Sequence, residues 1–246
     1  MTSSTPLLEI KDVRIAYGKR EVVSGISLSV PEGQAFGLVG LNGVGKTTLI
    51  KTILGLREYA HGSIAIQGRD RNHPDSKKLI AYLPERFDPP WFLSGMEFLR
   101  FSMSLYGASK TQDEIFASST RLALDPDVLK NRVQTYSKGM RQKLGILATL
   151  LTGCPLLILD EPMSGLDPRA RALVKDALLE AGKANRTVFL SSHILSDMNE
   201  ICDMVGVVSD GRLIFYGTPE ELRKEGGSDN MERAFLSVVD RQQKAA

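Results

Sequence analysis

Cysteine is nearly absent: of 246 residues only Cys154 and Cys202 carry thiols. Their separation does not match metal-ligand spacing and both sit among apolar residues. This excludes a zinc framework or a disulfide-stapled secreted scaffold and predicts two buried free thiols. An excess of either charge is missing too. Lys and Arg number 31 against 29 Asp and Glu, a net charge of +2, with no dense basic run. The broad positive field that nucleic-acid binding requires is therefore not encoded. Long apolar runs are lacking as well. The longest uncharged stretch, Leu144 to Leu159, is interrupted by Gly153 and Pro155. It is too short and broken for a membrane span and reads as a buried helix, a turn and a strand. Met1 to Glu9 has neither the basic start nor the apolar stretch of a secretory leader. Heptads, internal repeats and low-complexity segments are absent, so neither a long coiled coil nor a solenoid is expected.

What is present is ordinary globular material, 42% hydrophobic and 24% charged, in a chain long enough for one large core, or one domain with a subdomain. Alternation and apolar runs predict strands at Leu7–Val13, Val22–Val30, Gln34–Val39, Gly62–Gly68 and Leu79–Pro84, with a helix at Thr48–Leu54. Helical periodicity then takes over at Glu97–Tyr106, Asp113–Ala123 and Gly139–Leu151. Strand and helix alternate after that: Leu156–Asp160, Pro168–Lys183, Thr187–Ser191, Ile194–Ile201, Met204–Ser209 and Arg212–Tyr216. The order implies an α/β protein with a mostly parallel sheet, an antiparallel N-terminal β portion and an inserted helical subdomain.

The segment Gly40-Leu41-Asn42-Gly43-Val44-Gly45-Lys46-Thr47, followed by Thr48, fits the phosphate-binding loop of nucleotide triphosphatases. Glycines let backbone amides curl around phosphate oxygens. Lys46 offers a point charge to the β- and γ-phosphates, and the Thr47 hydroxyl can ligate Mg2+. A buried strand precedes the loop and a helix N-terminus follows it, as the chemistry demands. The fold expected is thus a P-loop NTPase core. Leu156–Asp160 is an apolar strand ending in two acids, Asp160 and Glu161. At the C-terminal end of a parallel strand they stand beside the phosphates. Asp160 is expected to hold the Mg2+ hydration shell, and Glu161 to orient the attacking water. His193 ends a later strand on the same edge, within reach of the γ-phosphate, although a lone histidine is more often structural. Ser137 and Gly139 open a helix and make a second anion cradle. They are either a bare N-cap or a contact to a nucleotide held by another subunit.

From Leu8 to Leu222 these motifs, in this order, resemble the nucleotide-binding subunit of ATP-binding-cassette (ABC) transporters. The resemblance implies that Gly40–Thr47 is Walker A, that Leu156–Glu161 is Walker B, and that His193 is the switch histidine. Ser137, Lys138, Gly139 and Met140 match the signature segment, and Ser164, Gly165, Leu166 and Asp167 the D-loop. Tyr17 falls where the family stacks an aromatic ring on adenine. Two segments depart from the family pattern. Lys138 and Met140 replace the first Gly and the Gln of the common signature, and Glu85 stands where the Q-loop Gln usually lies. Glu keeps an acceptor toward Mg2+, loses a donor and adds negative charge.

The resemblance further implies ATP and Mg2+ as ligands, and catalysis by Glu161 and His193. It implies a head-to-tail homodimer or heterodimer, and transmembrane permease subunits encoded separately, of the export type. The protein is expected on the cytoplasmic face of the membrane. Residues 1–225 would form the ATPase domain, with the helical subdomain at about 86–152, and 226–246 a C-terminal helix or tail. Trp91 and Phe92, after Pro89-Pro90, either offer a groove to a membrane partner or fill the subdomain's own small core. A machine acting on nucleic acid or ribosomes would carry paired cassettes or coiled coils, and a GTPase would need an Asn-Lys-x-Asp motif. Neither feature occurs.

Overall fold

Alternation along the central strands decides what packs on either side of them. In Ala35-Phe36-Gly37-Leu38-Val39 the odd positions face one core and the even positions another. Leu156–Leu159 and Val188–Leu190 divide in the same way. A strand apolar on both faces belongs in the middle of a sheet covered on both sides. The computed structural model describes residues 5–245 and has that architecture. Met1–Ser4, part of the stretch tested above as a leader, and Ala246, the last residue of the tail, lie outside the described residues.

Strands β1 (Leu8–Tyr17) and β2 (Arg20–Val30) form an antiparallel pair, and β3 (Ala35–Val39) leads through the glycine-rich loop into α1 (Lys46–Ile53). Then come β4 (His61–Ile66), β5 (Arg69–Asp70), α2 (Pro74–Lys78) and β6 (Ile80–Leu83). Helices α3 (Gly95–Leu105), α4 (Gln112–Arg121) and α5 (Lys138–Leu151) follow. The remainder is β7 (Leu156–Asp160), α6 (Pro168–Lys183), β8 (Thr187–Ser192), α7 (Leu195–Ile201), β9 (Met204–Ser209), β10 (Arg212–Gly217), α8 (Pro219–Gly226) and α9 (Met231–Ala245).

Two sheets result. Four antiparallel strands run in the order β2-β1-β4-β5, and six in the order β10-β9-β3-β8-β7-β6. In the larger sheet only β10 is antiparallel to its neighbour. One core joins the small sheet, α1 and one face of the large sheet through Ile10, Ile26, Phe36, Ile50 and Phe189. The Phe36 and Phe189 rings lie 5.2 Å apart. The other core joins the opposite face to the helices through Leu99, Leu144, Leu157, Val174 and Leu190. Each such side chain contributes about 1.5–3 kcal/mol when fully buried. Cys154 and Cys202 are both free and buried.

The helical segment decides between the two readings of its aromatic pair. Trp91 and Phe92 do not fill its core: they are 65% and 57% exposed, with rings edge to face. The interior is occupied instead by Phe87 against Phe98, with Leu99, Leu129 and Leu144 in the same core. No helix among the described residues is long and apolar enough to cross a membrane.

Candidate active site

Strands β3, β8 and β7 are adjacent and parallel, so Val39, Ser192 and Asp160 all end on one edge of the sheet. That edge receives the residues singled out above. The loop after β3 tolerates nothing larger than glycine at two points. A Cβ on Gly40 would come within 2.5 Å of the Val208 carbonyl oxygen. Gly45 caps α1 at φ 107°, with the Val22 carbonyl 3.0 Å from where its Cβ would stand. Lys46, nearly buried, donates to the Gly40 carbonyl at 2.7 Å and to Leu41 at 3.3 Å, and its amine is 3.9 Å from Glu161 Oε1. Burial pushes this amine below the usual lysine range, while Glu161, Asp160 and Glu85 pull it back up.

A cavity of about 320 Å³ opens here, walled by Asn42, Gly43 and Gly45 to Thr48, with Glu85, Glu161, Ser164 and His193. Glu161 has φ 50°, a left-handed backbone that costs a non-glycine residue of order 1 kcal/mol. The acid is held nonetheless. Its N–H donates to Ser191 Oγ at 3.1 Å, and its Oε2 lies 2.8 Å from His193 Nδ1. Asp160 is fully buried. It accepts from the Ser191 hydroxyl on Oδ1 at 2.5 Å, while Oδ2 is buried without a hydrogen-bond partner.

That orphaned oxygen tests the site for a cation. Among the described residues no three His, Cys, Asp or Glu side chains gather into a metal cage. Mg2+ needs no such cage. It takes one or two protein oxygens and fills its octahedron with water and phosphate. Asp160 Oδ2, the Thr47 hydroxyl and the carboxylate of exposed Glu85 form a donor set that fits it.

The second anion cradle lies elsewhere. Ser137 caps α5, accepting from the Met140 N–H at 3.2 Å, and neither it nor Lys138, Gly139 or Met140 walls the cavity. Ser137 and Lys138 are exposed. The Lys138 side chain rests against Gly165 of the neighbouring loop, where an added Cβ would come within 3.0 Å of its Cε. Tyr17 also lies outside the cavity, about half exposed, with the Arg57 guanidinium 3.4 Å from its ring centroid. In the Ser164–Asp167 loop, Ser164 lines the cavity, whereas Asp167 caps α6 by accepting from the Ala170 N–H at 2.9 Å. That hydrogen bond holds the Asp167 carboxyl below its ordinary range.

Two residues were not anticipated. Ser191 links the acids Asp160 and Glu161, and buried Gln142 donates from Nε2 to the Pro162 carbonyl at 2.8 Å. The second bond fastens α5 directly behind Glu161. The available signal was an amide on the apolar face of a helix, a group that must find a partner when buried.

Both the sequence and the fold have counterparts among known proteins. The family model described as ABC transporter matches residues 23–164. A lantibiotic transport ATP-binding protein of Streptococcus pyogenes is 32% identical over 236 residues, 95% of this chain and 97% of that one. A Nod factor export ATP-binding protein of Cupriavidus metallidurans is 34% identical over 237 residues, 93% of this chain and 77% of that one. A solved structure of an ATP-binding subunit of an ABC transporter superposes with a TM-score of 0.86 at 32% identity, covering 94% of this chain and 99% of that one.

Proposed function

Because the chain belongs to the ABC transporter family of ATP-binding subunits, we propose that it hydrolyses ATP in a head-to-tail dimer that powers export through separately encoded membrane subunits. One observation carries the reading. Lys46, Glu161 and His193 wall a single cavity, while Ser137 to Met140 stand outside it with Ser137 and Lys138 exposed. A second copy, or a related ATPase subunit, facing the first brings its own Ser137 and Gly139 to the γ-phosphate and gives the second cradle a use.

Each side chain then has a task. The loop amides and Lys46 hold the β- and γ-phosphates, and Thr48 closes the same turn. Tyr17 offers its ring to adenine. Thr47, Asp160 and Glu85 would hold Mg2+, which when bound supplies charge neutralisation to the phosphates. Glu161 orients a water in line with the γ-phosphate and accepts its proton. His193, donating from Nδ1 to Glu161, keeps that carboxylate aimed and leaves Nε2 for the departing phosphate. The Ser164–Asp167 loop borders both the cavity and the cradle. Residues 1–225 make up the ATPase domain, with its helical subdomain at about 86–152, and 226–246 are a short C-terminal helix or tail. Exposed Trp91 and Phe92 meet the membrane subunits, and the protein works at the cytoplasmic face of the membrane. The name of the Nod factor relative supports export as the direction.

Glu161→Gln tests the assignment. It removes the proton acceptor at constant shape, so ATP binding survives, turnover falls about 10²- to 10⁴-fold and an ATP-bound dimer accumulates. Equilibrium nucleotide binding, phosphate release and sedimentation read the three effects. Turnover at the parent rate would remove Glu161 from its role.

A further inference from the structure

The two loops that border the γ-phosphate side of the cavity are each followed by a helix, and those helices carry matching charges. Asp167 is followed four residues later by Arg171, and one turn further by Lys175, on α6. His193 is followed four residues later by Asp197, and Glu200 comes next on the same face of α7. The sets meet. Arg171 donates to Asp197 Oδ2 at 2.6 Å, and Lys175 Nζ lies 3.8 Å from Asp197 Oδ1 and 2.5 Å from Glu200 Oε2. The Asp197 side chain is only 3% exposed, against 26% and 16% for Arg171 and Lys175.

We propose that Asp197 is a positioning residue for His193: clasped by Arg171 and Lys175, it fixes the helix after the histidine to the helix after Ser164–Asp167, so that both loops keep one common setting. This rests on the ATPase reading above. The physical case begins with α7, which has 7 residues and no side-chain cap. So short a helix has little stability of its own. Its buried Leu195, Met198 and Ile201 hold it to the core, but apolar contact is non-directional and does not fix a helix about its axis. A charge-assisted bond to a cation on the neighbouring helix does. Burying a carboxylate here contributes little net stability compared with an apolar residue of the same size, so its value lies in position. His193 needs such a support. It is half exposed, and among the described residues its one side-chain hydrogen bond runs to Glu161, whose backbone is itself strained.

The experiment uses the full chain and five variants: Asp197→Asn, Arg171→Ala, Arg171→Lys, Glu161→Gln and His193→Ala. Asp197→Asn and Arg171→Ala are expected to lower kcat about 10- to 100-fold through misplacement of His193, with KM for ATP within about twofold. Arg171→Lys, which keeps a cation on α6, restores most of kcat. The chain has 3 histidines, so the imidazole resonance of His193, assigned by its loss in His193→Ala, is readily followed. It shifts in Asp197→Asn and Arg171→Ala and returns in Arg171→Lys. Parent kcat in Asp197→Asn beside an inactive Glu161→Gln overturns the clasp and leaves the ATPase reading standing. A lower kcat with an unmoved His193 resonance also overturns it, as does a KM that rises in step. If Glu161→Gln turns over at the parent rate, the ATPase reading falls and takes the clasp with it.

Discussion

Glu85 sets the charge at the mouth of the cavity. With Asp160 and Glu161 it is one of three carboxylates acting on the Lys46 amine, and burial together with Asp160 and Glu85 pushes the Tyr82 hydroxyl up to about 12. A site so rich in negative charge favours a divalent cation before it favours a nucleotide. Glu85→Gln removes one charge and supplies a donor in its place. The Mg2+ concentration for half-maximal ATPase activity is expected to rise several-fold, with turnover at saturating Mg2+ kept within about tenfold. A Mg2+ titration of the rate decides it, and an unchanged curve removes Glu85 from the metal site. At this scale the sequence was legible wherever a residue's neighbours in the chain reveal its work. Asp160 and Glu161 follow from the strand end they occupy, and Lys46 from the glycine-rich loop it closes and the helix it opens. Ser191 and Gln142 were not legible, because each works on a residue distant in the chain, Ser191 from β8 on Asp160 of β7 and Gln142 from α5 on the Pro162 carbonyl.

Elements were legible in proportion to how many buried side chains they own. Helix α6 and strands β7 and β9 carry continuous apolar patterns and begin and end where the sequence indicated. Helix α2 has 5 residues with only Ser76 buried, and β5 has 2, too few for any period to show. Helix α8 is mostly polar, yet Thr218, Pro219 and Glu221 spell its start, and both bonds of a capping box form there. Such boxes also open α3 at Ser94 and Glu97, and α4 at Thr111 and Glu114. The box on α4 makes a prediction about pH. Hydrogen bonds from the Thr111 backbone, Lys110 and the Thr111 hydroxyl lower the Glu114 carboxyl from 4.5 to about 2. A depressed folded pKa means its stabilisation is complete above about 4.5 and is lost as pH falls through about 2. A side-chain NMR titration should show the Glu114 midpoint near 2 in the parent and moved up toward 4.5 in Thr111→Ala, which loses the hydroxyl and loosens the box. Loss of the Thr111 cap also costs the helix about 1 kcal/mol.

In the proposed head-to-tail arrangement the molecule is half of a working unit, and that is testable by mixing. Lys46→Ala disables the phosphate loop, and Gly139→Asp puts a carboxylate where a phosphate is expected. Each variant alone should be inactive. In a mixed head-to-tail dimer one site pairs two damaged halves and the other pairs two intact ones. An equal mixture is therefore expected to recover about a quarter of parent activity. Activity that stays at zero on mixing rules out composite sites. That Ser137 to Met140 stand outside the cavity was not legible in the order of motifs, since Glu161 and His193 follow them in the chain and yet line it. Nor was the exposed setting of Trp91 and Phe92, because an aromatic pair after two prolines reads equally as surface or interior, and only the fit of Phe87 against Phe98 decides. Trp91 is the chain's 1 tryptophan, and it is 65% exposed to solvent. Its indole emission therefore originates at the face open to a partner, which gives the protein an intrinsic optical gauge of whatever covers that face.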